Sequence, residues 1–584
     1  MRRGGRLAAA AGGFAAIACG LALIPALARA QAIERHLPPA PTAPAPQVLA
    51  PTPLAAPADD RPIAGPLRQI RVLGPSAPVV ADTQPVTPGV DVAGAEAIAP
   101  DRLARALRPF LGRPLSRRLI GEAEAAAVRA YRQAGLPFVS ATAPPQEVGA
   151  GRLQLRIVVY RLGKRAVRGV DKSSAGRILA AVRAPDDQPI AADLLVQDLD
   201  WLDRYPFRTV AAGFSPGAAP GQTDLTLTVT PSRPYQVYAG YADSGSPATG
   251  RDRWFAGALV GLPLAVPTLV SYQMTASPDA VQNAGELVGG GQPRYLSHSA
   301  RLVSYIAPRQ DLELTVDVIQ TSQPVQDFQV RSRILEMTLA DRFALSNLSP
   351  SLPGDLVLGV EAKGETRATW FGGAVATSGD VEIYQLLAGW SVRASDALGQ
   401  TALDLSLHLS PGGLTPQNRT ATLSALTQGR VSSARYGYLG FDLTRATRLP
   451  FGLSLSSEAI GLYAPRALPD TEQAALGGGS AVRGYSVDDG AYDRALVLRN
   501  TLSLPWPARA ALGPAAFDRP FVFGDVGYGE DQGRRSVTLA SVGVGQGLRL
   551  GPASFTASLC IPLIDGPAAR AGRLFADVRL TAAY

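Results

Sequence analysis

From Arg233 to the C-terminus the chain alternates apolar and polar residues with a period of two. Leu403, Leu405, Leu407 and Leu409 alternate with Asp404, Ser406 and His408, and Leu314, Val316 and Val318 with Glu313, Thr315 and Asp317. Leu356, Leu358, Val360 and Ala362 share one face, with Glu361 and Lys363 on the other; Phe555, Ala557, Leu559 and Ile561 repeat the pattern. Such spacing predicts β-strands with one greasy and one wet face. Clusters of Gly, Pro, Asn and Asp separate them. A soluble β-sandwich also alternates, but here the pattern continues for about 350 residues without a helix, and its last segment, Leu574 to Tyr584, ends in an aromatic. The pattern therefore predicts a transmembrane antiparallel β-barrel. A spanning strand takes roughly 9–11 residues and its connection about as many, so the segment 232–584 holds on the order of 16 strands. One stretch within it, Trp254 to Val270, is apolar enough to suggest a membrane helix. Gly257, Gly261, Pro263 and Pro267 break it into two strands and a turn.

Ahead of the barrel the periodicity changes. Residues 67–231 mix helical and strand patterns. Ile70–Leu73 reads as a strand. Pro100 opens a helix that puts Leu103, Ala106, Leu107 and Phe110 on one face. A second helix covers Leu119–Ala134, with Gly135 as its C-cap, and strands follow over Phe138–Ala141 and Leu153–Tyr160. The same order then recurs: a strand over Ala166–Val170, helices over Ser174–Val182 and Ala191–Arg204, and strands over Phe207–Ala212 and Thr223–Val229. Two copies of one small α/β unit stand in tandem, 67–160 and 161–231. Residues 31–66, rich in Pro and Ala, read as an extended linker with a short helix near Ala32–His36.

The N-terminus sets the compartment. Arg2, Arg3 and Arg6 precede an uncharged apolar run from Leu7 to Leu27, and Ala28-Arg29-Ala30 is a small-x-small cleavage site, so residues 1–30 read as a secretory signal peptide. Cys19 would be the modified residue of a lipoprotein, but Ala16-Ile17-Ala18 before it lacks the usual leucine and the apolar run continues past it. Cys560 is the other cysteine, which excludes an internal disulfide and a cysteine metal site. Formal net charge is +8, and four of the positive charges are arginines of the signal segment. The remainder is small for this length and argues against a nucleic-acid partner.

Motifs of enzymes fit poorly. Gly213-Phe214-Ser215-Pro216-Gly217 has the G-x-S-x-G spacing of a hydrolase elbow but sits between strands of a hairpin, and His36, His298 and His408 are scattered. Gly289-Gly290-Gly291 lacks the Lys-Ser/Thr of a phosphate loop. No catalytic residue, metal or cofactor is expected. Two other motifs stand out. Leu476 to Tyr485 is a Gly-rich loop carrying Val482-Arg483-Gly484-Tyr485, and Phe523-Gly524-Asp525-Val526-Gly527 is a strand with Asp525 on its polar side. An arginine folded into a barrel lumen needs a partner, and an aspartate there supplies one. Read from the residues alone, an exposed loop arginine and an unrelated lumen aspartate fit equally well.

These two motifs resemble the V-R-G-Y/F of the sixth extracellular loop and the F-x-D-x-G of a late strand in the hemolysin secretion/activation family (ShlB/FhaC/HecB type), the outer-membrane transporters of two-partner secretion. The tandem α/β units are similar to that family's polypeptide-transport-associated (POTRA) domains. Tyr131-Arg132-Gln133-Ala134-Gly135 with Pro144-Pro145-Gln146 resembles the first, and Asp198 to Phe207 with Phe214 to Gly217 the second. Tyr238 to Gly250 resembles the first barrel strand and turn. The chain departs from the family in having Ala491-Tyr492-Asp493 where a Gly-Asp pair often stands. A Pro-rich stretch, Ala77 to Gly89, also leaves either Ile70–Leu73 or Val90–Val92 as the first POTRA strand.

The resemblance implies a loop-to-lumen lock of Val482, Arg483, Gly484, Tyr485, Phe523, Asp525 and Gly527, with Arg483 paired to Asp525. It implies an outer-membrane protein with periplasmic N-terminal domains, placed in lipid by the barrel-assembly machinery. Its cargo would be a secreted exoprotein of filamentous hemagglutinin/hemolysin type. Strand addition at the POTRA edges would capture that cargo, at Phe138, Val139, Ser140 and Ala141 and at Phe207, Arg208, Thr209 and Val210, on to Ala212. A barrel-protein insertase of the same superfamily is the alternative.

Overall fold

The computed structural model describes residues 34, 36, 59–262, 264, 266–288, 291–505, 516–532 and 536–584. The expected signal peptide, Cys19 and most of the linker fall outside them, as does the Ala32–His36 helix apart from Glu34 and His36. The chain divides into two units, Ala40–Arg233 and a barrel unit comprising Met1–Pro39 with Pro234–Tyr584.

In the first unit, β1 (Pro62–Pro66), β2 (Gln69–Leu73), β3 (Gly89–Asp91), β4 (Pro114–Ser116), β5 (Val139–Thr142) and β6 (Arg152–Val159) surround α1 (Pro100–Leu107) and α2 (Arg117–Arg132). Pro100 lies in the first turn of α1, where a missing N–H costs nothing. The Ser116 hydroxyl caps α2 by accepting from the Leu119 N–H at 3.2 Å. Gly135, at φ +83°, turns the chain after α2. The helices bury Leu103, Leu107, Leu119 and Tyr131 against Ile70, Leu153 and Leu155 of the sheet. Sheet order is β3-β2-β6-β5, with β2 parallel to β6 and β5 antiparallel to it. Both candidates for the first strand are therefore strands, and Ile70–Leu73 is the one beside β6. The Pro-rich stretch between them is docked by a buried arginine. Arg152 donates to the carbonyls of Ala81, Gln84 and Pro85 at 2.8–3.1 Å. The linker assignment is corrected at its end. Residues Pro62–Pro66 pair with β4 because their open backbone meets a matching edge there.

The second α/β copy is β7 (Arg161–Arg168), α3 (Lys172–Ala181), α4 (Ala192–Asp203), β8 (Arg208–Pro216) and β9 (Gln222–Pro231). Its sheet runs β7-β9-β8, the arrangement of β2-β6-β5 again. Ser215 lies within β8, not in the strand-turn-helix setting a hydrolase elbow needs.

Sixteen strands close the barrel. In order they are β10 (Tyr235–Ala242), β11 (Arg253–Leu262), β12 (Thr268–Ala276), β13 (Tyr295–Ala307), β14 (Gln310–Val325) and β15 (Phe328–Ala344). Next come β16 (Asp355–Phe371), β17 (Ala374–Ser395), β18 (Gly399–Ser410), β19 (Tyr436–Arg448) and β20 (Ser454–Tyr463). After a two-stranded pair, β21 (Ala474–Ala475) and β22 (Ala491–Tyr492), follow β23 (Arg494–Ser503), β24 (Ala516–Glu530), β25 (Val537–Leu550), β26 (Ala553–Pro562) and β27 (Phe575–Ala583). β27 pairs antiparallel with β10 to close the ring. The period-2 pattern sorts as expected: Leu358, Val360, Leu407 and Leu409 lie on the exposed outer face, whereas Asp317 and Glu361 are buried in the lumen. Closure leaves no sheet edge in the hydrocarbon layer, where an unpaired backbone group would be costly.

Candidate functional site: the lumen and its sixth loop

The chain enters the barrel at Pro234, so the opposite rim carries the outer connections. The sixth of these, residues 464–493 between β20 and β23, folds back into the lumen. Arg483 reaches Asp525 of β24 with both prongs of its guanidinium. Nε donates to Oδ2 and Nη2 to Oδ1, each at 2.7 Å. The Arg483 backbone N–H adds a bond of 3.2 Å to the same carboxylate, and Nη2 donates to the Thr501 hydroxyl at 3.1 Å. The guanidinium lies 3.7 Å from the Phe523 ring centroid. Asp525 is 1% exposed. Two parallel charge-assisted bonds fix orientation as well as energy.

Each remaining motif residue has a local task. Val482 is fully buried and packs with Leu476, Val497 and Leu539. Gly484 sits at φ +86°, a conformation other residues adopt reluctantly. The Tyr485 hydroxyl donates to the Ile564 carbonyl at 2.7 Å and lies 2.9 Å from that of Ala540. A Cβ on Gly527 would come within 2.6 Å of Val482 Cγ2, so glycine there lets the loop touch the wall.

A second foot of the same loop was not singled out by the sequence. Glu472 accepts from Lys363 Nζ of β16 at 2.9 Å, from Gln385 of β17 at 2.9 Å and from the Tyr438 hydroxyl of β19 at 2.7 Å. Asp470 accepts from Arg367 at 3.0 Å and pairs with Arg430 of the fifth outer loop. Asp493, in the Ala491-Tyr492-Asp493 segment that departs from the family pattern, accepts from the Leu468 N–H and the Gln473 amide at 2.8 and 2.9 Å. The available signal was Lys363, one of three lysines in the chain, on the wet face of its strand. Two described residues of the linker also belong to the barrel unit. Glu34 accepts from Arg253 Nη2 at 2.7 Å, and its carbonyl accepts from the Tyr295 hydroxyl at 2.6 Å. His36 lies 2.6 Å from the Glu34 carboxylate.

The proposed docking residues lie on two sheets. β5 and β8 are each the edge strand of theirs. Phe138 and Phe207 precede those strands and are buried, so their side chains serve packing; the Phe138 ring lies 4.3 Å from that of Phe214. At β8 the Val210 N–H is occupied, donating to Asp203 Oδ1 at 2.8 Å. Burial holds that carboxyl above the usual carboxylate range despite the bond.

Comparison with known proteins follows the same division. The haemolysin secretion/activation protein ShlB/FhaC/HecB family model matches residues 385–550, and the ShlB-type POTRA domain matches residues 86–159. The outer membrane transporter CdiB-2 of Burkholderia pseudomallei (strain 1026b) is 26% identical over 161 residues, 27% of this chain and 27% of that protein, so the match spans about a quarter of the relative's length. CdiB from Escherichia coli has the same fold at a TM-score of 0.64 and 14% identity, over 92% of this chain and 94% of that one. CdiB from Acinetobacter baumannii follows at 0.54 and 15%, over 89% and 90%.

Fold and family matches together place the chain among outer-membrane β-barrels of the ShlB type, with POTRA-type domains in the periplasm. Over residues 86–159 and 385–550 the chain is similar to the ShlB/FhaC/HecB family of two-partner secretion transporters.

Proposed function

We propose that the chain captures an unfolded exoprotein in the periplasm and exports it through the barrel. The observation that carries this reading is the Arg483–Asp525 pair. It holds a 30-residue loop inside the lumen, where a porin would keep open water. Capture would use backbone groups at the edges of β5 and β8, because an extended chain supplies matching N–H and C=O groups whatever its sequence. The alternating wet face of the barrel would let such a chain slide without a fixed apolar partner.

Deleting the gene and comparing secreted with outer-membrane proteins tests the reading. Loss of one large secreted protein is expected. Broad loss of outer-membrane barrels would replace it with the insertase. Photo-crosslinkers at Ser140 and Thr209 are expected to trap that secreted protein, and cargo trapped only on the helices of the two α/β units would sink the docking edges.

A further inference from the structure

Strands β14–β17 are longer than the strands that flank them, 16 to 22 residues against 13 for β13 and 12 for β18. Their upper parts have polar outer faces. Above Leu386 the outward positions of β17 include Tyr384, Glu382, Asp380 and Ser378, where lower strands show Leu and Val. This wall therefore rises out of the lipid on the outer side. Its two flanks are unequal. On one flank β13 stops at Tyr295, opposite Thr321, and leaves only Ser322–Val325 of β14 beyond it. There Ser322 N–H is taken by the Arg294 carbonyl, and Pro324 has no N–H to offer.

The other flank is open. β18 pairs with β17 only from Leu386 downward, so Ala374–Gln385 extends past it. The fifth outer loop covers the lower end, where Asn418 Nδ2 donates to the Glu382 carbonyl at 2.8 Å and Leu423 packs on Val381 and Ile383. That bond also fixes the phase. Backbone groups alternate between the two sides of a strand, so Ser378 and Asp380 direct their N–H and C=O to the same open side as Glu382. From Ala374 to Asp380 the edge carries no proline, lysine or arginine, and Asp380 is its one charge. Natural sheets protect long edges with such residues. Protection is present on the short flank and missing on the long one.

We propose that the Ala374–Asp380 edge of β17 receives the exported chain as an added β-strand as it leaves the pore, giving its first folded segment a template. The proposal rests on the export reading above. A second copy of the barrel does not suit this edge. The free edge continues the line of β18 in the same wall, past the end of β18 at Ser410, so the partner it suits is one extended strand taking the place of a missing wall strand. Recognition would be through backbone, with the small side chains of Ala376, Thr377, Ser378 and Gly379 imposing little sequence preference.

The test uses the full-length protein in its own membrane and, as probe, the secreted protein that disappears on deletion. Photo-crosslinkers at Thr377 and Ser378 are expected to trap the probe during export, while crosslinkers at Gln323 and Gln329 on the protected flank stay silent. Ser378→Pro removes one outward N–H without touching the β16 ladder. It should lower the β17 crosslink yield by roughly two- to tenfold, the factor one backbone hydrogen bond is worth, and slow the appearance of protease-resistant probe outside the cell. Equal labelling of both flanks, or unchanged yield and folding in Ser378→Pro with Ser140 and Thr209 crosslinks intact, overturns the template and leaves export standing. A wild-type chain whose deletion removes no secreted protein overturns both.

Discussion

Replacing Arg483 by Ala is expected to stop the proposed export of a partner protein, while the barrel still inserts and keeps its heat-modifiable mobility. Asp525→Ala does the same. Each single change leaves a buried charge without its partner in a lumen that supplies few alternatives, a cost of about 3–5 kcal/mol for such pairs. The wall strands do not depend on the bond, since β24 remains paired to β23 and β25 along its length. The loop does depend on it, and the sixth loop should become accessible to a thiol reagent at a cysteine placed at Ser480. Arg483→Lys should not rescue export, because an ammonium cannot reproduce the two parallel bonds or the contact with Phe523. The double variant should be no worse than either single, the signature of a pair acting as one unit. Normal export by both single variants would remove the lock.

Glu472→Ala is expected to release the other foot. Its carboxylate is fully buried and gathers Lys363, Gln385 and the Tyr438 hydroxyl. Removing it takes the Glu472 carboxylate away from a largely buried ammonium, again a cost of about 3–5 kcal/mol. The segment Asp470–Gln473 should then be cut by added protease in intact cells, and export should fall, with the Arg483 contact still protecting Ser480. A second change tests the cause. Lys363→Met combined with Glu472→Gln removes both charges and should restore much of the protection, because replacing a buried pair by neutral groups is far cheaper than breaking it. If Glu472→Ala leaves the segment as protease-resistant as wild type, this foot carries no strain and the loop is held by Arg483 alone.

The barrel was legible because lipid leaves so few choices. Backbone groups must all be paired, and one face must be apolar, so Leu403 to Leu409 could hardly be anything but a wall strand. The first foot was legible for a different reason: Arg483 and Asp525 sit in two motifs that a family resemblance joins across about forty residues. The second foot has no such motif. Asp470 and Glu472 lie in a short irregular segment, and their partners come from β16, β17, β19 and the fifth outer loop, contacts set by closure of the ring and invisible to local pattern. The open flank of β17 was hidden similarly. It exists only because β18 ends at Ser410, and relative strand length is a property of neighbours. The linker end failed on composition, since Pro62-Ile63-Ala64-Gly65-Pro66 looks like coil until β4 offers it an edge.

One foot of the sixth loop grips β16, β17 and β19 and the other stands on β24, three to six strands further round the ring. Mechanically the loop is a tie-rod across a hoop. It resists spreading along its own line and divides the bore into unequal lanes. The wider lane, bounded by β10–β15 and β25–β27, is the one that holds Glu34, Arg253 and Tyr295. An exported chain would therefore be expected to pass through that wider lane, beside the Glu34–Arg253 contact, with the tie left in place.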